Sequence, residues 1–129
     1  MEINNLNFNP FKKIGQEWML ITAKKDDKIN SMTASWGGIG VIWNKNVVFV
    51  FIRPERYTYQ FTEFSKTFSL TFFDSKYKDL LKYFGQVSGK TEDKIQKSKF
   101  TISFDNNTPY FAEAKYGVVL SNEIVNFDF

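Results

Sequence analysis

Asn30-Ser31-Met32-Thr33-Ala34-Ser35-Trp36-Gly37-Gly38 is the run that governs how this chain is expected to fold. Ile29 to Trp36 reads as a strand, with small or hydroxyl side chains (Asn30, Ser31, Thr33, Ser35) on one side and Ile29 and Met32 among its apolar members. Thr33 and Ser35 are two residues apart, so their hydroxyls share a side, while Ala34 and the glycines leave room for a ligand near the backbone. Upstream, Glu17 to Lys24 sets Trp18, Leu20 and Thr22 against Met19, Ile21 and Ala23, mostly apolar on both sides, as in a largely covered strand. Lys25-Asp26-Asp27-Lys28 is the turn between the two. Downstream, Gly37, Gly38 and Gly40 loosen the backbone. Val47-Val48-Phe49-Val50-Phe51-Ile52 then reads as a central strand buried on both faces, ended by Arg53-Pro54 because proline gives no ladder hydrogen bond.

The second half is punctuated more often. Tyr57, Phe61 and Phe64 fit one face of a short helix, and Thr67 to Phe73 alternates Phe68, Leu70 and Phe72 with Thr67, Ser69 and Thr71 as a half-buried strand. Asp74-Ser75 offers a cap to a helix with Tyr77, Leu80, Leu81 and Phe84 inward and Lys76, Lys78, Asp79 and Lys82 outward, stopped by Gly85. Gln86 to Lys99 is polar. Phe100 to Phe104 alternates as a strand before the turn Asp105 to Pro109, and a last strand is expected from Tyr116 to about Val125. Six or so strands and two or three short helices, without regular β-α alternation, predict a mainly β antiparallel barrel in one domain, 1–129.

Composition narrows the chemistry. The chain has 129 residues, the size of one domain, and its 15 Phe, 6 Tyr and 3 Trp supply ample apolar area for a core. No Cys and no His are present, which excludes disulfides, thiolate metal sites, a Cys nucleophile and a Ser-His-Asp arrangement. Any chemistry must come from a bound cofactor or from carboxylates, Lys or Tyr. A net charge of +3 is far from the dense basic face of a nucleic-acid binder. No apolar stretch approaches the roughly 20 residues of a membrane span, and the start Met1 to Pro10 shows no signal peptide, so a cytoplasmic location is expected.

Two nucleotide-binding near-misses fail on spacing. Gly38-Ile39-Gly40-Val41-Ile42-Trp43 lacks the third glycine of a dinucleotide fingerprint, and Gly89-Lys90-Thr91 lacks the glycine that a phosphate loop places five residues earlier. Asn106-Asn107-Thr108, followed by Pro109, reads as a turn. What remains is the hydroxyl run around Thr33 and the cluster Arg53-Pro54-Glu55-Arg56-Tyr57-Thr58, where two guanidiniums and two hydroxyls at a strand end could bind an oxygen-rich dianion. Each also has an ordinary reading, since Ser/Thr rows are common on solvated strands and Arg-Pro is a common strand exit.

Taken in order, Met32-Thr33-Ala34-Ser35-Trp36-Gly37-Gly38, Trp43-Asn44-Lys45, Arg53-Pro54-x-Arg56-Tyr57-Thr58 and Gly85-x-x-Ser88-Gly89-Lys90-x-x-x-Lys94 resemble the flavin reductase-like family of FMN-binding split barrels. The resemblance runs from about Trp18 to Tyr116. It implies a homodimer of Greek-key barrels with FMN near the subunit interface, reduced by NAD(P)H, passing electrons to a small-molecule or protein acceptor. It further implies that Thr33, Ala34 and Ser35 meet the flavin and its ribityl chain, with Met32 and Trp36 near the ring. Arg53, Arg56, Tyr57 and Thr58 would serve the phosphate, and Ser88, Gly89, Lys90 and Lys94 would close the site from the same or the second subunit. No catalytic acid, base or nucleophile and no metal is required, because hydride transfer to a flavin needs positioning above all. Relatives usually continue beyond the strand corresponding to Tyr116–Val125, so the domain is expected to fall short of their C-terminal strands. The alternatives are an FMN-binding electron carrier without nicotinamide activity, and a small nucleic-acid-binding barrel. The charge balance argues against a nucleic-acid partner, and the lack of a long apolar stretch against a membrane one.

Overall fold

The computed structural model describes residues 7–121. In chain order its elements are α1 (Pro10–Lys12), β1 (Met19–Lys25), β2 (Lys28–Ala34), β3 (Gly37–Ile42), β4 (Lys45–Val50), α2 (Tyr57–Phe64), β5 (Thr67–Phe72), α3 (Lys78–Gln86), α4 (Lys94–Ser98), β6 (Ile102–Asp105), β7 (Thr108–Phe111) and β8 (Tyr116–Ser121). Every strand pairing among the described residues is antiparallel. The main sheet has the order β2-β1-β5-β8, and β3-β4 and β6-β7 form two separate hairpins. The fold is thus mainly β with a few short helices, as the sequence implies. The expected strand end near Val125 and the terminal Asn126–Phe129 lie outside the described residues.

The period of two along each strand sorts the core into two layers. Met19, Ile21 and Ala23 of β1, with Met32 and Ala34 of β2 and Phe68, Leu70 and Phe72 of β5, form one cluster with Phe61 of α2. Leu20 faces the other way, with Phe73, Leu81, Phe84, Phe100 and Phe111. The rings of Phe73 and Phe100 stack at 5.2 Å, and Phe84 stacks on Phe100 at 6.2 Å. Both faces of the sheet are therefore covered.

Several sequence expectations change at this level. Asn30 does not share a side with Ser31 and Thr33: the pleat turns Asn30, Met32 and Ala34 to one face, and Ser31 and Thr33 to the other. The glycine-rich segment is no loosened connection. It is strand β3, in register with β4 from Gly37↔Val50 to Ile42↔Lys45. The Phe49 ring lies against Gly38, where an added Cβ would come within 2.7 Å of Cζ and push the ring aside. β4 is not a central strand buried on both faces, because its sheet has two strands and Phe49 and Phe51 are exposed.

β5 departs in the opposite sense, being buried on both faces instead of half-buried. Its hydroxyl face lies under β7, where Ser69 Oγ donates to Pro109 O at 2.7 Å and Thr67 bonds Thr108, while Thr71 Oγ1 donates to Leu20 O of β1 at 3.5 Å. Burial of polar side chains is tolerated there because each finds a partner. Finally, Gly85 does not stop α3, which runs on to Gln86. A Cβ on Gly85 would press on Thr33 Cβ at 3.3 Å, so the glycine serves the close approach of helix to strand.

Candidate functional site

The site forms where β2 is the edge of the main sheet. α2 packs on one face of β2 and α3 on the other, so the N-terminus of α2 and the C-terminus of α3 meet around that edge. Arg53-Pro54-Glu55-Arg56 is a β-turn closed by Arg56 N donating to Arg53 O at 3.0 Å, with proline at its favoured second position. That turn delivers the chain directly into α2. No side chain caps α2 at its N-cap residue, Arg56. Tyr59 N is taken up by Arg56 O at 3.0 Å, which leaves the amides of Tyr57 and Thr58 to meet an anion, and the helix dipole adds positive potential there.

Facing this helix end, the chain leaving α3 bends through Val87, Ser88 and Gly89. Ser88 shapes the bend, since its Oγ accepts from Lys90 N at 3.2 Å and its carbonyl accepts from Thr91 N at 3.1 Å and Thr91 Oγ1 at 3.0 Å. Between the two lies a cleft of about 230 Å³ bordered by Arg56, Tyr57, Thr58, Ser88, Gly89 and Lys94. Asn30 forms its floor and is only 4% exposed.

Charge in the cleft is net positive, Arg56 and Lys94 against Glu55, and partly desolvated. Lys94 is 3% exposed and its Nζ donates to Phe84 O at 3.0 Å. That bond satisfies a carbonyl of the last turn of α3, which would otherwise present negative potential to the cleft. Burial, and then the charge of Arg56, lower the Lys94 ammonium to a pKa of about 8, with Glu92 acting the other way. Arg56 is also held below its usual value, by burial first and Arg53 second. On the rim, Lys28 Nζ donates to Tyr57 OH at 3.0 Å and sits 4.9 Å from its ring centroid, while Lys90 Nζ lies 5.8 Å from the same ring.

Of the residues expected from sequence, Arg56, Tyr57, Thr58, Ser88, Gly89 and Lys94 converge within this one chain, with Lys90 at the rim. Arg53 does not join them: it is exposed, with Nε 3.7 Å from Glu55 Oε1. Thr33 is near, but its hydroxyl donates to Leu81 O of α3. The side chains of Met32 and Ala34 are turned into the core. Ser35 and Trp36 form the link from β2 to β3, where Trp36 is exposed and its carbonyl accepts from Phe51 N at 3.2 Å. Asn30 is the site residue that sequence reasoning passed over. It stands in the quoted run, but only the pairing of the two sheet faces with two different helices reveals its place.

Comparison with known proteins places these features in a family. The flavin reductase like domain matches residues 11–119, which include the whole cleft. No curated protein matches the chain significantly. Among solved structures, the flavoredoxin of Desulfovibrio vulgaris (Miyazaki F) aligns with a TM-score of 0.74 and 25% identity over 81% of this chain and 58% of that one. An FMN-binding protein from Thermus thermophilus, solved with bound p-hydroxybenzaldehyde, gives 0.73 and 22% over 85% and 62%. Flavoredoxin from Methanosarcina acetivorans gives 0.75 and 23% over 98% and 66%. The chain thus spans about three fifths of the length of the first two of these structures. With its antiparallel sheets, its few short helices and the match across most of its length, the chain belongs to the flavin reductase like family and has that family's split-barrel fold.

Proposed function

We propose that this chain is a flavoprotein oxidoreductase that holds FMN by its phosphate in the cleft at the β2 edge, takes electrons from NAD(P)H and passes them to an acceptor. The observation that carries the reading is the convergence of Arg56, Lys94, Thr58 and Ser88 on the uncapped start of α2. A guanidinium, an ammonium, two hydroxyls and a helix N-terminus form a donor set suited to a phosphate dianion and poorly suited to a neutral ligand. Membership of the flavin reductase like family supports the flavin, and the likeness to an FMN-binding protein from Thermus thermophilus supports the mononucleotide.

When bound, FMN supplies the capacity to accept a hydride from a dihydronicotinamide and to release electrons onward. The protein's own residues bind and orient. Arg56 and Lys94 neutralise the phosphate. Ser88 and Thr58 fix its rotation through directed hydroxyls, and the backbone of residues 33–36 is assigned to the flavin end of the ligand. A second copy of the chain is assigned to the exposed apolar face of the β3-β4 hairpin, making the working unit a homodimer.

Anaerobic mixing of the FMN-loaded protein with NADH or with NADPH, followed at the flavin absorbance, tests the reading. Bleaching with either donor is expected. Protein that binds FMN but is bleached by neither would be an electron carrier served by another protein, and protein that does not bind FMN would overturn the flavin assignment itself.

A further inference from the structure

Asn30 touches two parts of the cleft at once. Its Nδ2 donates to Thr58 Oγ1 at 2.8 Å, and both residues are almost fully buried. Its amide also lies against Gly89, where no side chain has room: an added Cβ would overlap the amide oxygen and sit 2.8 Å from Cγ. One side chain on an edge strand therefore spaces the start of α2 from the bend after α3.

The direction of the Asn30-Thr58 bond has a chemical consequence. A hydroxyl has one proton to give, and within a helix a threonine commonly spends it on the carbonyl four residues back. For Thr58 that residue is Pro54, which precedes the helix within the turn. Because Thr58 Oγ1 accepts from Asn30, its own proton is left to donate elsewhere, and Thr58 borders the cleft. An acceptor in place of the amide would reverse this polarity and consume that proton.

We propose that Asn30 is a positioning residue that commits Thr58 as a hydrogen-bond donor toward an anionic group in the cleft, and so makes the site selective for a phosphorylated ligand. The inference rests on the reading that the cleft receives the FMN phosphate. It adds a residue on the floor of the cleft that sets the polarity of the hydroxyl beside it. Asn30 is 4% exposed and its Nδ2 is committed to Thr58, so the polarity it imposes on the cleft runs through the Thr58 hydroxyl.

The test compares FMN with riboflavin, which lacks the phosphate, by flavin fluorescence quenching on wild type, Asn30→Ala, Asn30→Asp, Thr58→Val and the double variant Asn30→Ala/Thr58→Val. Wild type is expected to bind FMN far more tightly than riboflavin. Asn30→Ala and Thr58→Val should each weaken FMN about tenfold, the loss expected for one hydrogen bond to a charged group. The double variant should be no weaker than Thr58→Val, and riboflavin affinity should be unchanged throughout. Asn30→Asp, nearly isosteric, should weaken FMN by more than Asn30→Ala at neutral pH, and part of that deficit relative to wild type should be recovered as the pH falls through the carboxylate range. The phosphate itself titrates near pH 6, but does so in every variant alike.

Additive losses in the double variant, an equal loss of riboflavin binding, or an Asn30→Asp protein whose deficit is independent of pH would each overturn the role of Asn30. If wild type itself failed to prefer FMN over riboflavin, the failure would belong to the phosphate reading and not to Asn30. Should Asn30→Ala not fold, Thr58→Val and Asn30→Asp still decide the matter.

Discussion

Gly89 is held to glycine by what it faces, and not by its backbone angle. Any side chain there would meet the buried amide of Asn30, which is itself fixed by Thr58. Gly89→Ala is therefore expected to cost about 1–3 kcal/mol in urea unfolding, as overpacking of a tight contact does, and to weaken FMN binding because the bend carrying Ser88 shifts. A variant that unfolds at the wild-type midpoint would show that the contact yields freely. Lys94 contributes a pH dependence whose sign can be worked out. Its folded pKa of about 8 lies below the ordinary 10.5, so burial penalises the charged form. That cost to stability is fully present below about pH 8 and is relieved as the pH rises toward 10.5. Phosphate binding has the opposite sign, since it favours the ammonium. FMN affinity should fall as the pH rises through about 8, with Arg56 and Glu92 the charged groups that bear on the amine. Titration of FMN into wild type and Lys94→Met across that range checks this, and an equal pH dependence in the two proteins would remove Lys94 as its source.

Elements differ in how far their residues announce them. α2 was legible to the residue, because Tyr57, Phe61 and Phe64 recur at helical spacing, although the buried face proves to be Thr58, Phe61 and Thr62 while Phe64 is exposed. β3 was not legible. Nothing local favours a strand at Gly37, Gly38 and Gly40, and what holds them extended is pairing with β4 and the Phe49 ring lying over Gly38. The same division runs through the site. Arg56, Tyr57 and Thr58 are contiguous and could be read as an anion-binding cluster, whereas the commitment of Thr33 to Leu81 and the role of Asn30 depend on which helix covers which face of β2. β5 shows the non-local effect in energetic terms. Its row of hydroxyls looked solvated, yet Ser69 is 1% exposed and serves as donor to the Pro109 carbonyl. Ser69→Ala is expected to destabilise the protein by about 1–3 kcal/mol, the usual cost of stranding a buried acceptor, measured by chemical denaturation. A change within experimental error would indicate that water replaces the lost donor.

At the scale of the molecule, the question is why a chain with so many aromatics leaves several of them outside. The β3-β4 hairpin and its flanks expose Trp43 (66%) and Phe51 (62%), together with Trp36 and Phe49. Its other side is satisfied, since Val48 and Val50 pack into the first core layer. The exposed residues are thus not a core that failed to close; they are a second apolar surface on an element already anchored. Phe49 and Phe51 lie on one face with their ring centroids 5.8 Å apart, and large apolar side chains left exposed together in this way point to an interaction site. Pairing through a two-fold axis would let the patch cover itself, burying the same residues on both copies. The chain is accordingly expected to sediment as a dimer that dissociates on dilution. Phe51→Glu places two charges in the centre of that contact and should shift the equilibrium to monomer without altering the far-ultraviolet spectrum, because Phe51 contributes nothing to either core layer. Wild-type protein that sediments as a monomer at every concentration would reassign the patch to a different partner. FMN affinity should then be measured in the monomeric Phe51→Glu variant. Arg56, Ser88 and Lys94 all come from one chain, so the phosphate grip should survive dissociation, and a complete loss of binding on dissociation would mean that the partner copy supplies part of the site.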